Sequence, residues 1–83
     1  MEEQIHQHLY TCLGEVVNTR RKRLKMSQKE LADKAGIDRV YLSNVEHGKS
    51  KPSFGTVAGI AQGLKLRYSR LVGECEECMK KTA

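Results

Sequence analysis

The sequence predicts an all-α fold, a compact five-helix domain with an extended first helix. Three observations lead there. Apolar residues recur at three- and four-residue steps through most of the chain. Capping side chains and helix-stopping glycines fall between those runs. No segment alternates apolar and polar residues at period two, so no strands are expected. The 83 residues allow a single domain, taken as 1–83. A domain of that size buries only about 60% of the surface its unfolded chain exposes, so association with a second copy would add to its stability.

Ile5, Leu9, Leu13, Val16, Val17 and Leu24 trace one stripe along a helix over residues 5–24. Arg20 falls where that stripe would continue, which weakens its last turns and leaves Asn18, Thr19 and the run Arg20 to Arg23 in solvent or facing phosphate. Ser27 followed three residues later by Glu30 is a capping box, starting a helix with Leu31, Ala32 and Ala35 inward. Gly36 stops it, Ile37 seats the turn, and Asp38 caps a second helix with Leu42 and Val45 inward and Gly48 as its stop. Two short helices about a tight turn containing glycine make a helix-turn-helix, here about 27–48. A basic loop from Lys49 to Ser53 follows. Ser53 precedes a helix whose inner face is Phe54, Val57, Ile60 and Ala61, with Gly63 near its end. Leu64 and Leu66 lead into a last helix, about 68–80, in which Leu71 and Val72 should pack.

The formal charge of +5 is unevenly spread: residues 1–17 carry −3, residues 18–51 carry +6 and the remainder +2. The basic excess sits on the helix-turn-helix and suits a polyanion partner. There is no 18-residue apolar run and no signal-peptide pattern, so a soluble, intracellular chain that does not meet membrane is expected.

Ser27-Gln28, Glu30-Leu31-Ala32, Ala35-Gly36, Leu42 to Glu46, Gly48 and Lys49 resemble the phage-repressor type of helix-turn-helix, the Cro and xenobiotic-response-element family. The resemblance covers roughly Leu13 to Val72. Within the family, Asp38-Arg39, Tyr41, Leu42-Ser43 and Val45-Glu46 look most like the small controller proteins of restriction-modification systems. The resemblance implies a lambda-repressor-like DNA-binding domain of a prokaryotic or phage protein, located in the cytoplasm with the nucleoid. Relatives usually begin near Leu13, so Ile5 to Cys12 looks like an added turn or two, serving the core or a partner. Lys25 stands where the family commonly has glycine, and a turn built differently is expected there.

In such proteins the second motif helix enters the major groove and the first crosses the backbone. Carried over, Arg39, Val40, Ser43 and Asn44 face base edges, and helical spacing places 40, 43 and 44 opposite Leu42 and Val45. Arg39 suits guanine O6 and N7 and Asn44 suits adenine, while Val40 could touch a thymine methyl. Arg39 has as alternatives an ion pair with Asp38 or a phosphate contact. Gln28, at the start of the first motif helix, resembles a family phosphate contact; Lys49, Lys51, Tyr41 and Asn18 are further phosphate candidates. The resemblance also implies a buried ion pair between Arg21 and Glu46. One motif reads few base pairs, so a homodimer on a palindrome is expected. Leu66, Tyr68, Leu71 and Val72 are its candidate interface, Ile5 and Leu9 a second candidate, and intramolecular core the competing role.

Cys75-Glu76-Glu77-Cys78 has C-x-x-C spacing. Zinc would need further ligands from Cys12, His6, His8 or His47, and a redox motif of this kind belongs in a strand-helix setting. The expectation is therefore two reduced thiols on one helical turn, with no metal or cofactor. No nucleophile motif and no glycine-rich phosphate loop is present, and an enzyme is not expected. The function expected is a dimeric transcriptional regulator on double-stranded DNA, with no small-molecule ligand. The rival is a protein-binding module, such as the antitoxin of a toxin-antitoxin pair.

Overall fold

The computed structural model describes the backbone of residues 2–82 and the side chains of residues 6–82. Five helices follow in order: α1 (Glu2–Arg23), α2 (Gln28–Ala35), α3 (Arg39–Glu46), α4 (Phe54–Gly63) and α5 (Tyr68–Thr82). There are no strands among the described residues.

Local chemistry starts three of them. The Ser27 hydroxyl accepts the Glu30 N–H at 3.0 Å while the Glu30 carboxylate accepts the Ser27 N–H at 2.9 Å, completing the capping box of α2. These hydrogen bonds hold the Glu30 carboxyl below its ordinary range. Asp38 accepts the Val40 N–H at 2.9 Å and starts α3, and the Ser53 hydroxyl accepts the Thr56 N–H at 3.2 Å and starts α4.

Four helix ends share one closure. The N–H groups of Met26, Ile37, Lys49 and Leu66 each reach back five residues, to the carbonyls of Arg21, Ala32, Asn44 and Ala61, at 2.9–3.1 Å. The residue before each donor is left-handed: Lys25 (φ 57°), Gly36 (φ 73°), Gly48 (φ 72°) and Lys65 (φ 60°). Lys25 thus does not change the turn as its sequence suggested. It takes the glycine conformation, at a cost of up to about 1 kcal/mol.

Every helix contributes to one core. Val17, Leu31, Leu42, Val45, Ile60 and Leu71 are fully buried, with Leu64 and Ala61 beside them. Three apolar expectations change. Leu71 has no exposed surface, so it is core and has none to offer a partner. Phe54, expected inward, is 81% exposed: it is the first residue of α4 and rests against Tyr68, ring centroids 5.6 Å apart, instead of entering the core. Leu24, at the fraying end of the first stripe, is 42% exposed.

Close helix crossings rest on absent side chains. A Cβ on Gly14 would lie 2.5 Å from the Glu46 carbonyl oxygen, so α1 and α3 meet backbone to backbone. Between α4 and α2, a Cβ on Gly63 would lie 2.8 Å from Leu31 Cδ1.

Packing of α5 on α1 corrects two further readings. Arg20 is neither solvated nor free for phosphate: its guanidinium grips the Glu74 carboxylate through Nη2 and, at 3.0 Å, through Nε, and Arg70 joins from α5 at 3.0 Å. Cys78 is not a thiol paired in register with Cys75 but is bonded to Cys12, with Cα atoms 5.7 Å apart. The extension ahead of Leu13 therefore packs within the chain. Leu9 and Tyr10 lie against the core, and Gln7 donates to the Gly48 carbonyl at 3.1 Å; the Ile5 side chain lies outside those described.

Gly14→Ala should destabilise the chain by about 1–3 kcal/mol, because backbone must move to admit the methyl. Lys25→Gly should stabilise it by up to about 1 kcal/mol. Urea denaturation midpoints check both, and opposite shifts are expected.

Candidate nucleic-acid interface

The outward face of α3 is built from its ends inward. Asp38 fixes the first turn, Leu42 and Val45 anchor the inner side, and Gly48 closes the last turn. What remains outward is Arg39, Val40, Ser43 and Asn44. Arg39 and Asn44 are exposed, Val40 is 56% exposed, and Ser43 is partly covered. The Asp38 carboxylate is turned toward the Val40 and Tyr41 N–H groups, and no ion pair to Arg39 forms among the described residues. Arg39 is thus left with its donors outward. An unpaired guanidinium, an amide, a hydroxyl and a methyl-bearing side chain are the chemistry that matches base edges in a major groove.

Lys49 and Lys51 are exposed on the loop beyond α3, and Tyr41 is half-buried on its flank. Asn18 and Gln28, considered from sequence as phosphate contacts, have another occupation. Asn18 Nδ2 donates to Glu46 Oε1 at 2.9 Å and Gln28 Nε2 donates to the same oxygen at 3.1 Å. Sequence reasoning missed this role because residues 18, 28 and 46 share no local pattern; the one available signal was that Glu46 must be buried beside Arg21.

Arg21 and Glu46 do meet. Arg21 Nε lies 2.7 Å from Oε2 and Nη2 3.1 Å from Oε1, both side chains nearly covered, while Nη1 donates to the Met26 carbonyl at 2.8 Å. Burial by itself would push the Glu46 carboxyl up. Hydrogen bonds from Arg21, Asn18 and Gln28 outweigh it and hold the group below its ordinary 4.5. The pair joins the end of α1 to the end of α3, and Gln28 brings in the start of α2. The three elements that position the outward face are therefore tied at one carboxylate.

The sequence profile of the Helix-turn-helix family matches residues 17–71. The chain belongs to that family. Among its relatives, it is 36% identical over 62 residues to the immunity repressor protein of Bacillus phage phi105, matching 75% of this chain and 43% of the repressor. It is 34% identical over 53 residues to an uncharacterised HTH-type transcriptional regulator of Mycobacterium tuberculosis, covering 64% of this chain and 38% of that protein. The chain thus spans less than half the length of these two relatives. Among solved structures, the restriction-modification controller protein C.AhdI from Aeromonas hydrophila superposes with a TM-score of 0.73 at 27% identity, over 75% of this chain and 94% of the controller. The clp gene regulator ClgR of Corynebacterium glutamicum superposes with a TM-score of 0.84 at 23% identity, over 89% and 79% of the two chains, which establishes the likeness of fold. No helix among the described residues is long and apolar enough to cross a membrane.

The helix-turn-helix frame should fail when its carboxylate is removed. Glu46→Ala leaves Arg21 buried without its partner and should cost about 3–5 kcal/mol. Because the folded-state pKa of Glu46 is depressed, its stabilisation is complete above the ordinary carboxylate range and is lost as pH falls through the folded value. Thermal melts across pH 3–7 should show that acid dependence in the parent and a shallower one in Glu46→Gln.

Proposed function

We propose that this chain is a sequence-specific DNA-binding transcriptional regulator that occupies a palindromic operator as a homodimer. The observation that carries the reading is the outward face of α3, where Arg39, Val40, Ser43 and Asn44 stand unpaired on a helix whose position is fixed through Glu46. Arg39 reads guanine and Asn44 adenine, each worth about 1–3 kcal/mol of discrimination, while Val40 meets a thymine methyl and Ser43 a neighbouring base edge. Lys49, Lys51 and Tyr41 hold phosphates and supply affinity without sequence information. Gln28 and Asn18 act mainly by holding Glu46, with the N-terminus of α2 turned to the backbone beside them.

The relatives point the same way. One is a phage immunity repressor, and a restriction-modification controller protein of similar fold, C.Esp1396I, has been crystallised as a tetramer with its natural 35 base-pair operator. The dimer surface is Leu66, Tyr68 and Val72, without Leu71, and the exposed Phe54 ring beside Tyr68 extends it. Two copies related by a twofold axis place their α3 helices roughly 34–36 Å apart, one turn of duplex. The chain acts by occupancy and not by catalysis, in the cytoplasm of a prokaryote or phage host.

The deciding experiment is selection from a pool of random duplexes at about 150 mM salt, where competition from non-specific sites is physiological. An enriched inverted repeat with guanine and adenine in each half-site is expected; retention without enrichment would overturn sequence-specific reading. Two variants then separate the roles. Arg39→Ala should flatten preference at one position per half-site, whereas Lys49→Ala should weaken all duplexes alike and reduce the salt slope by about 1.

A further inference from the structure

The bond between Cys12 and Cys78 spans 66 residues and joins the first and last helices. Its two residues differ in access, since Cys12 is 1% exposed whereas Cys78 is partly open to solvent. Cys75, one turn earlier on α5, is buried, and burial pushes its thiol up to about 11. It is therefore protonated at neutral pH and does not compete as a nucleophile.

The surroundings show what the bond does. Beyond Cys75 no described residue of α5 is buried. The last two turns of that helix lie against α1 through the bond itself and a hydrogen bond between the Thr82 hydroxyl and the His8 ring. The ion pair of Arg20 with Glu74 holds the helix one turn before this stretch. Apolar burial thus secures the first half of α5, and the sulfur bridge secures the second.

We propose that Cys12–Cys78 is a reversible thiol–disulfide exchange site for small dithiols and disulfides, and that its state sets whether the last two turns of α5 are pinned to α1. In the reducing direction, a thiolate of the dithiol attacks the Cys78 sulfur. The bond to Cys12 breaks and Cys12 leaves as a thiolate, which takes up a proton. The second thiol of the reagent then attacks the mixed disulfide, closing the reagent into its own disulfide and releasing Cys78. Two electrons pass from the dithiol to the protein, and a disulfide reagent such as oxidised glutathione returns the protein to the bonded form by the reverse exchange. Tyr68 and Val72 lie in the half of α5 that apolar burial holds, so exchange at the sulfurs stands apart from the proposed dimer surface.

The test uses the full chain and needs no DNA. Samples poised with oxidised glutathione or with dithiothreitol are alkylated after denaturation, mapped by peptide mass, and melted in parallel. The oxidised sample should yield one alkylated thiol, at Cys75, and a linked peptide pair containing Cys12 and Cys78. Native treatment with dithiothreitol should free both, and re-oxidation should restore them. Closing a loop of this length predicts a melting temperature lower in the reduced sample by on the order of 10 °C or more, with amide exchange accelerated in residues 76–82. Cys78→Ser should melt at the same temperature in both reagents, and Cys75→Ser should respond as the parent does. Three free thiols under oxidised glutathione would overturn the proposal, as would a bridge to Cys75 or a bridge whose reduction moves neither melting nor exchange. A failed operator selection would leave these outcomes untouched.

Discussion

One carboxylate decides how the outward face of α3 is presented. Glu46 is removed from water at the last turn of α3 and takes four hydrogen bonds, two from Arg21, one from Asn18 and one from Gln28. A buried charge left without partners is severely unfavourable, so the structure must bring these donors together. Apolar burial is non-directional and would tolerate several relative rotations of α1, α2 and α3. Hydrogen bonds at 2.7–3.1 Å to the two oxygens of one group tolerate far fewer. Hydrophobic contact therefore brings the helices together, and this polar cluster sets their register.

The neighbouring arginine works in another direction. Arg20 and Arg21 are adjacent in sequence, but side chains one residue apart on a helix point about 100° apart. Arg21 turns toward α3, while Arg20 turns toward α5 and grips Glu74. The last turns of α1, which look like a plain basic run, are a fork from which two ion pairs fasten α3 and α5. Further toward its start, α1 is tied to α5 again by the sulfur bridge. One long helix thus carries both α3 and the helix that bears Tyr68 and Val72.

What the sequence reveals is what neighbouring residues decide. The Ser27–Glu30 capping box, the Asp38 cap, the Gly36 and Gly48 stops and the buried faces of α2 and α3 are all local, and all could be read in advance. The meeting of Arg21 with Glu46 was legible only through family resemblance. Other features were hidden for identifiable reasons. Lys25 and Lys65 adopt a conformation whose usual sequence sign is glycine. Phe54 has the spacing of an inward residue, but the first turn of α4 holds its ring out against Tyr68. Leu71 has the spacing of either core or interface, and only assembled packing gives it to the core. The pairings of Arg20 with Glu74 and of Cys12 with Cys78 depend on where α5 comes to rest, which no window of sequence reports.

The bare crossing at Gly14 bears on the entropy of recognition. With the α1 backbone set against the carbonyls of Val45 and Glu46, α3 has little room to slide or roll before any ligand arrives. Association commonly loses free energy in ordering loops and side chains, and a rigid element avoids much of that loss. Here only the outward side chains of α3 remain to be ordered, led by the long Arg39. On the proposed base-reading role of that face, selectivity comes from mismatch against a nearly rigid template, and a wrong base is not accommodated by backbone adjustment.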